Sequence, residues 1–337
     1  MAKEKSKSAS DAKVIARPIA TERHPLNNRT YRVATTAIED CWQLVSRCLQ
    51  YRIPGALIYG ESRLGKTYAI EYLRMLIHRE RPEIPTFHVQ SEHTTSRSEG
   101  AFFTRLLRSV RHPEPDSGRN AGKRRALHDR LRDIAEAQSS SLIVFFCDEA
   151  QRYSLHEYEW LRDVHDELAQ CGVRLTTFLV GQERLCEQRA RFQESGDTHI
   201  VKRFMVETLR FRGIRSAVDA ATCLKSYDEH AYPVGSDWSF TRYYYPHAFE
   251  AGLRLETSAH FLWDAFSQAH QHAGLAGSVE IPMEYFSRAV EAILLDGLLR
   301  DAMDFQLAES HWTKVVQHCG YVASEQAVER NARGLGR

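Results

Sequence analysis

Apolar and polar positions along this chain follow two periods, and each predicts a kind of element. Ala56-Leu-Ile-Tyr59, Ser141-Leu-Ile-Val-Phe-Phe-Cys147 and Arg174-Leu-Thr-Thr-Phe-Leu-Val180 are short apolar runs of the sort a strand buried on both faces requires. Thr86-Phe-His-Val89 and a stretch near Phe204–Thr208 read as shorter strands. Between them, apolar residues recur every three or four positions. This predicts helices over Ala37–Leu49, Tyr68–His78, about Gly100–Val110, Lys123–Gln138 and Leu155–Gln170. Arg111–Gly122, rich in Pro, Asp, Gly and Asn, is expected as a loop. Strands alternating with helices imply a parallel sheet with right-handed crossovers.

From about Leu209 the pattern changes to helix alone, over Ile214–Tyr227, Ala259–His270 and Met283–Asp304. The expected division is a basic, mobile tail over 1–28, a nucleotide-binding core over 29–208, a helical domain over 209–323 and a second mobile tail over 324–337. An aromatic-rich segment, Tyr232–Phe249, falls inside the helical part, where filling a core is the favoured reading over docking a partner.

Composition narrows the function classes. The 337 residues are 43% hydrophobic, enough for two cores, yet no apolar run approaches the ~18–20 residues of a membrane helix. Seven scattered cysteines without a C-x-x-C pair read as reduced thiols rather than a disulfide framework or zinc site. A cytoplasmic protein that does not engage membranes is expected. The formal net charge of +1 means that any nucleic-acid partner must be met by local charge.

The chemistry concentrates after the first buried strand. Gly60, Glu61, Ser62, Arg63, Leu64, Gly65, Lys66 and Thr67 form a complete G-x-x-x-x-G-K-[ST] loop that opens a helix. Such a loop wraps phosphates with backbone N–H groups. Lys66 would reach the β- and γ-phosphates of ATP, and the Thr67 hydroxyl would enter the Mg²⁺ shell. A second apolar strand ends in Asp148-Glu149-Ala150-Gln151, a Walker B pattern in which Asp148 assists in holding Mg²⁺ and Glu149 polarises the attacking water. The strand Arg174–Val180 leads to Gly181-Gln182, and Gln182 is the candidate sensor of the γ-phosphate. In Ile200-Val-Lys-Arg-Phe204, Arg203 is the candidate arginine finger for a neighbouring subunit, with Lys202 and Arg191 as competitors. Arg119, Lys123, Arg124 and Arg125 belong to a cationic run that could neutralise DNA phosphates without reading sequence.

Taken in order, the phosphate loop, Asp148-Glu149-Ala150-Gln151, Gly181-Gln182 and Arg203-Phe204 resemble AAA+ ATPases of the initiator clade. Within that clade, residues 35–210 most resemble the TnsC/TniB transposition regulators of bacterial transposons. The resemblance implies a P-loop AAA+ core with a parallel sheet flanked by helices, followed by a mostly α-helical lid. It implies rings or filaments of the chain around double-stranded DNA that link a target-selector protein to a transposase, with ATP hydrolysis permitting disassembly. Arg254 is a loose match to a lid arginine. A signalling or phage-defence ATPase acting on proteins, and a replication-type loader, share the same core motifs.

Overall fold

The computed structural model describes residues 15–91 and 98–334; the start of the expected N-terminal tail (1–14) and residues 335–337 of the expected C-terminal tail lie outside them. The chain divides into two compact units. A single helical turn, α1 (Pro25–Asn28), belongs to the second of these.

The first unit comprises Ala34–Arg215 and Glu280–Phe286. It runs α2 (Thr36–Tyr51), β1 (Gly55–Tyr59), α3 (Lys66–Glu80), β2 (Thr86–Gln90), α4 (Glu99–Ser109), α5 (Asn120–Ala137), β3 (Leu142–Asp148), α6 (Leu155–Gln170), β4 (Arg174–Gly181), α7 (Arg184–Glu194), α8 (Thr198–Phe204) and β5 (Glu207–Arg210). The strands form one sheet in the order β2-β3-β4-β1-β5, every pair parallel. Side chains of β3 alternate between two cores. Ile143, Phe145 and Cys147 face one, while Leu142, Val144 and Phe146 face the other. That alternation is why the whole run had to be apolar: the sheet is covered on both sides.

Two boundaries differ from the sequence reading. Ile200-Val-Lys-Arg-Phe204 is the body of helix α8, and the last strand starts only at Glu207. The apolar residues Ile200, Val201 and Phe204 pack into the core as one helical face. The core also extends past 208 to Arg215 and takes back Glu280–Phe286, where Ile281 bridges Ile214 in antiparallel fashion.

The second unit holds residues 15–33, Ser216–Val279 and 287–334. Its helices are α9 (Ala217–Glu229), α10 (Phe240–Tyr244), α11 (Pro246–Glu250), α12 (Ala259–His272), the part of α13 (Met283–Arg300) from residue 287, α14 (Glu309–His318) and α15 (Tyr321–Gly334). The aromatic segment is core: Phe240, Tyr243, Tyr244 and Tyr245 are buried, and the first three ring the buried imidazole of His24. Residues 15–28 are therefore not a tail as expected; His24 and Leu26 anchor them. Residues 324–334 likewise continue helix α15 rather than forming the expected tail.

Candidate functional site

Parallel strands place all their C-terminal ends on one edge of the sheet, where crossover loops leave a crevice. β1 delivers the phosphate loop to that edge, β3 delivers Asp148, and β4, hydrogen-bonded between them, delivers Gly181-Gln182. The strand order thus sets the expected sensor position between the loop and the Walker B carboxylates.

Each loop glycine has its own reason. Gly65 has φ +100°, the left-handed region in which a Cβ is strained, and it caps α3. At Gly60 the constraint is space. A Cβ would lie 2.3 Å from the backbone oxygen of Phe211, which follows β5. Between them, Leu64 is buried, while Glu61, Ser62 and Arg63 are exposed. Arg63 pairs with Glu284 at 3.5 Å and donates to the Tyr285 hydroxyl, which ties the loop to Glu280–Phe286 within the same unit.

Lys66 is 7% exposed, and its ammonium donates to the carbonyl oxygens of Gly60 (2.9 Å) and Glu61 (2.6 Å). Burial lowers its pKa, opposed by the nearby carboxylates of Glu149, Asp148, Glu61 and Glu183. The Thr67 hydroxyl donates to Oδ2 of Asp148 at 2.7 Å. Burial alone would raise the Asp148 carboxyl. Contacts from His88 and Thr67 outweigh it and hold the group below the ordinary carboxylate value, so it stays ionised.

Glu149 stands at φ +54°, with its N–H donating to Oδ1 of Asp148 at 2.9 Å. Its Oε2 accepts from the Gln151 carboxamide at 2.8 Å and lies 3.4 Å from Arg152. The half-buried Gln182 is reached through its backbone N–H, which donates to Oε1 of Gln151 at 3.1 Å.

Three participants had no role in the sequence reading. His88 on β2 contacts Oδ2 of Asp148 at 3.4 Å and Glu71 of α3 at 3.0 Å. The contact with Asp148, working against burial, raises its pKa. The strand Thr86–Gln90 also carries Thr86 and Gln90, so a polar residue within it did not single out His88. Gln151 was visible only as the last residue of the Walker B pattern and Arg152 only by its place after it, and neither position announced its contact with Glu149.

Arg203 is not brought to this site. Its backbone oxygen lies beside Gly55, at the opposite end of β1 from the loop, and its guanidinium pairs with Asp166 at 2.8 Å. Neither competitor has a clearer claim on position: Lys202 is exposed on the same helix, and Arg191 lies in the last turn of α7. Arg254, in the helical unit, donates to the carbonyls of Phe249 and Leu253.

The cationic run divides. Lys123 donates to Thr104, and Arg124 pairs with Glu99 (2.9 Å) and Asp163 (3.1 Å). Arg105 is spent on Glu157, and Arg132 faces Asp129, Asp133 and Glu136. Arg119 and Arg125 are exposed. Of the seven cysteines, Cys41, Cys48, Cys147, Cys223 and Cys319 are buried, whereas Cys171 is exposed. Among the described residues no helix is long and apolar enough to cross a membrane.

Residues 55–188 match the family model described as AAA domain. The five-stranded parallel sheet, its flanking helices and the helical region beyond have the AAA+ architecture expected from the sequence. No curated protein matches the chain. Among solved structures it is similar to the ORC2 protein of Aeropyrum pernix in ADPNP–ADP complexes, at 13% identity over 81% of this chain and 69% of that one, with TM-score 0.44. It is also similar to the ORC1 protein of Aeropyrum pernix in complex with DNA, at 14% identity over 73% of this chain and 64% of that one, TM-score 0.43. The chain thus spans slightly less than two thirds of the second protein. Domain III of the Thermotoga maritima replication initiation protein DnaA is a further likeness, at 13% identity, 82% and 97% coverage and TM-score 0.36.

Proposed function

We propose that this chain is an ATP-hydrolysing switch that assembles on duplex DNA and links target selection to a transposase, with hydrolysis driving disassembly. The observation that carries the ATPase part is the convergence of Thr67 and Asp148, 2.7 Å apart, beside Lys66 and Glu149. A hydroxyl and an ionised carboxylate supply two oxygen ligands of the kind Mg²⁺ takes. The left-handed Gly65 and the buried Lys66 fit a phosphate cradle.

The loop Gly60–Thr67 would hold the phosphates of ATP, and Thr67 and Asp148 would hold Mg²⁺, which supplies charge neutralisation when bound. Lys66, bonded here to two loop carbonyls, exchanges those partners for phosphate oxygens. Glu149 accepts the proton of the attacking water. Gln182, at the tip of β4, reports the γ-phosphate. Exposed Arg119 and Arg125 are the side chains of the cationic run best placed to meet DNA phosphates. The internal ion pairs of Arg105, Arg124 and Arg132 favour the second reading, an oligomeric ATPase acting on protein partners, to the extent that they remove charge from that face.

The test is DNA binding by the full chain, with and without ATP, on duplexes of arbitrary sequence and increasing length. ATP-dependent binding that weakens steeply with salt is expected. It should be abolished by Lys66→Ala and prolonged by Glu149→Gln. ATP hydrolysis without any duplex complex would favour the protein-partner reading, and absence of nucleotide binding would refute both.

A further inference from the structure

We propose that Gln151 is a positioning residue. Its carboxamide aligns the Glu149 carboxylate and couples it to the tip of β4. This rests on the reading of Glu149 as the base. A carboxamide has one end that donates and one that accepts, and both ends are used. Nε2 donates to Oε2 of Glu149 at 2.8 Å, and Oε1 accepts the backbone N–H of Gln182 at 3.1 Å. The partners fix the orientation. Turned over, the amide would set donor against N–H and acceptor against carboxylate.

The fold makes room for this bridge. A Cβ on Gly181 would lie 2.1 Å from Oε1 of Gln151, so the glycine at the end of β4 leaves the space that the carboxamide occupies. Arg152 meets Glu149 at the same oxygen, with Nη2 3.4 Å from Oε2, while its Nη1 donates to the backbone oxygen of Ser91 at 2.8 Å. Both contacts fall on Oε2, which assigns Oε1 as the oxygen that takes the proton from water. A displacement of the β4 tip would reach the base through one side chain. The sensor position and the base are thereby two ends of the same hydrogen-bonded link.

The test compares Gln151→Ala and the volume-retaining Gln151→Leu in the full chain, by steady-state ATP hydrolysis with and without duplex DNA. A fluorescent ATP analogue reads nucleotide affinity independently of turnover. Loss of alignment should lower kcat roughly 10- to 100-fold, because small misplacements of a reacting group carry large rate penalties. KM and analogue affinity should stay within about twofold, since nucleotide binding uses other groups. In a Glu149→Gln background, Gln151→Leu should cause no further loss of rate, because two residues acting as one unit are not additive.

Wild-type kcat in Gln151→Leu, or an equal further loss in the Glu149→Gln background, would overturn the alignment role while leaving the base intact. Wild-type kcat in Glu149→Gln alone would instead remove the base assignment, and the alignment role with it.

Discussion

His165 shows what a single buried residue contributes without touching the site. It lies in α6 with its Nε2 2.8 Å from the Thr177 hydroxyl of β4, and burial, aided by the nearby Arg203 cation, pushes its pKa down to about 3. The unfolded chain binds this proton near pH 6.5, so between about 6.5 and 3 the unfolded state holds more protons than the folded one. The stabilisation is therefore complete above pH 6.5 and is lost as pH falls, at up to about 1.4 kcal/mol per pH unit. Denaturant titrations between pH 7 and pH 4 should show this slope, and His165→Gln, which keeps a partner for Thr177, should flatten it by roughly that amount. An unchanged slope would mean that the imidazole is protonated in the fold. At this scale the sequence showed Lys66, Thr67, Asp148 and Glu149 because a motif fixes their spacing. The role of His88, and that of Gln151 within its motif, were not legible because they depend on which strands become neighbours, and linear spacing carries no record of β3 lying beside β2 and β4.

Elements were legible where one physical signal dominated. The run Leu142–Cys147 could only be a strand covered on both faces, and α6 was read at its observed bounds, Leu155–Gln170, with Ser154 and Glu157 closing a capping box. Helix α8 was missed because it is seven residues long and β-branched at Ile200 and Val201. Its period competes with an alternating pattern that runs on into Glu207–Arg210. Tight fit between elements yields a second stability prediction. Gly60→Ala sets a Cβ against the Phe211 backbone, where no flexible side chain can yield, so the end of β5 or the loop must move. Overpacking of this kind costs about 1–3 kcal/mol. Chemical denaturation should register that loss together with weaker nucleotide binding. A variant of unchanged stability would show that the approach of Phe211 does not constrain the loop.

The largest scale is that of the proposed assembly, and Arg203 decides how its active sites would be composed. The guanidinium belongs to the N-terminal edge of the sheet, where the Arg203 backbone meets Gly55, while Lys66 and Asp148 belong to the C-terminal edge. Five residues of β1 separate those edges, ~17 Å at the usual rise per residue. A side chain so placed cannot complete its own chain's site, and any role in hydrolysis must be played on a neighbour, after exchange of its Asp166 partner for phosphate. Arg203→Ala should therefore leave nucleotide affinity of the isolated chain unchanged and reduce hydrolysis by the assembled form, by roughly 10³-fold if the finger has its usual weight. Mixing supplies the decisive measurement. Glu149→Gln chains assemble and retain Arg203 but lack the base, whereas Arg203→Ala chains retain the base but lack the finger. Each is inactive alone, yet co-assembly places an intact Arg203 beside a site with an intact Glu149 at a fraction of the contacts, so the mixture should hydrolyse ATP. No recovery in mixtures shown to co-assemble would exclude Arg203 as the finger and return Lys202 and Arg191 to consideration.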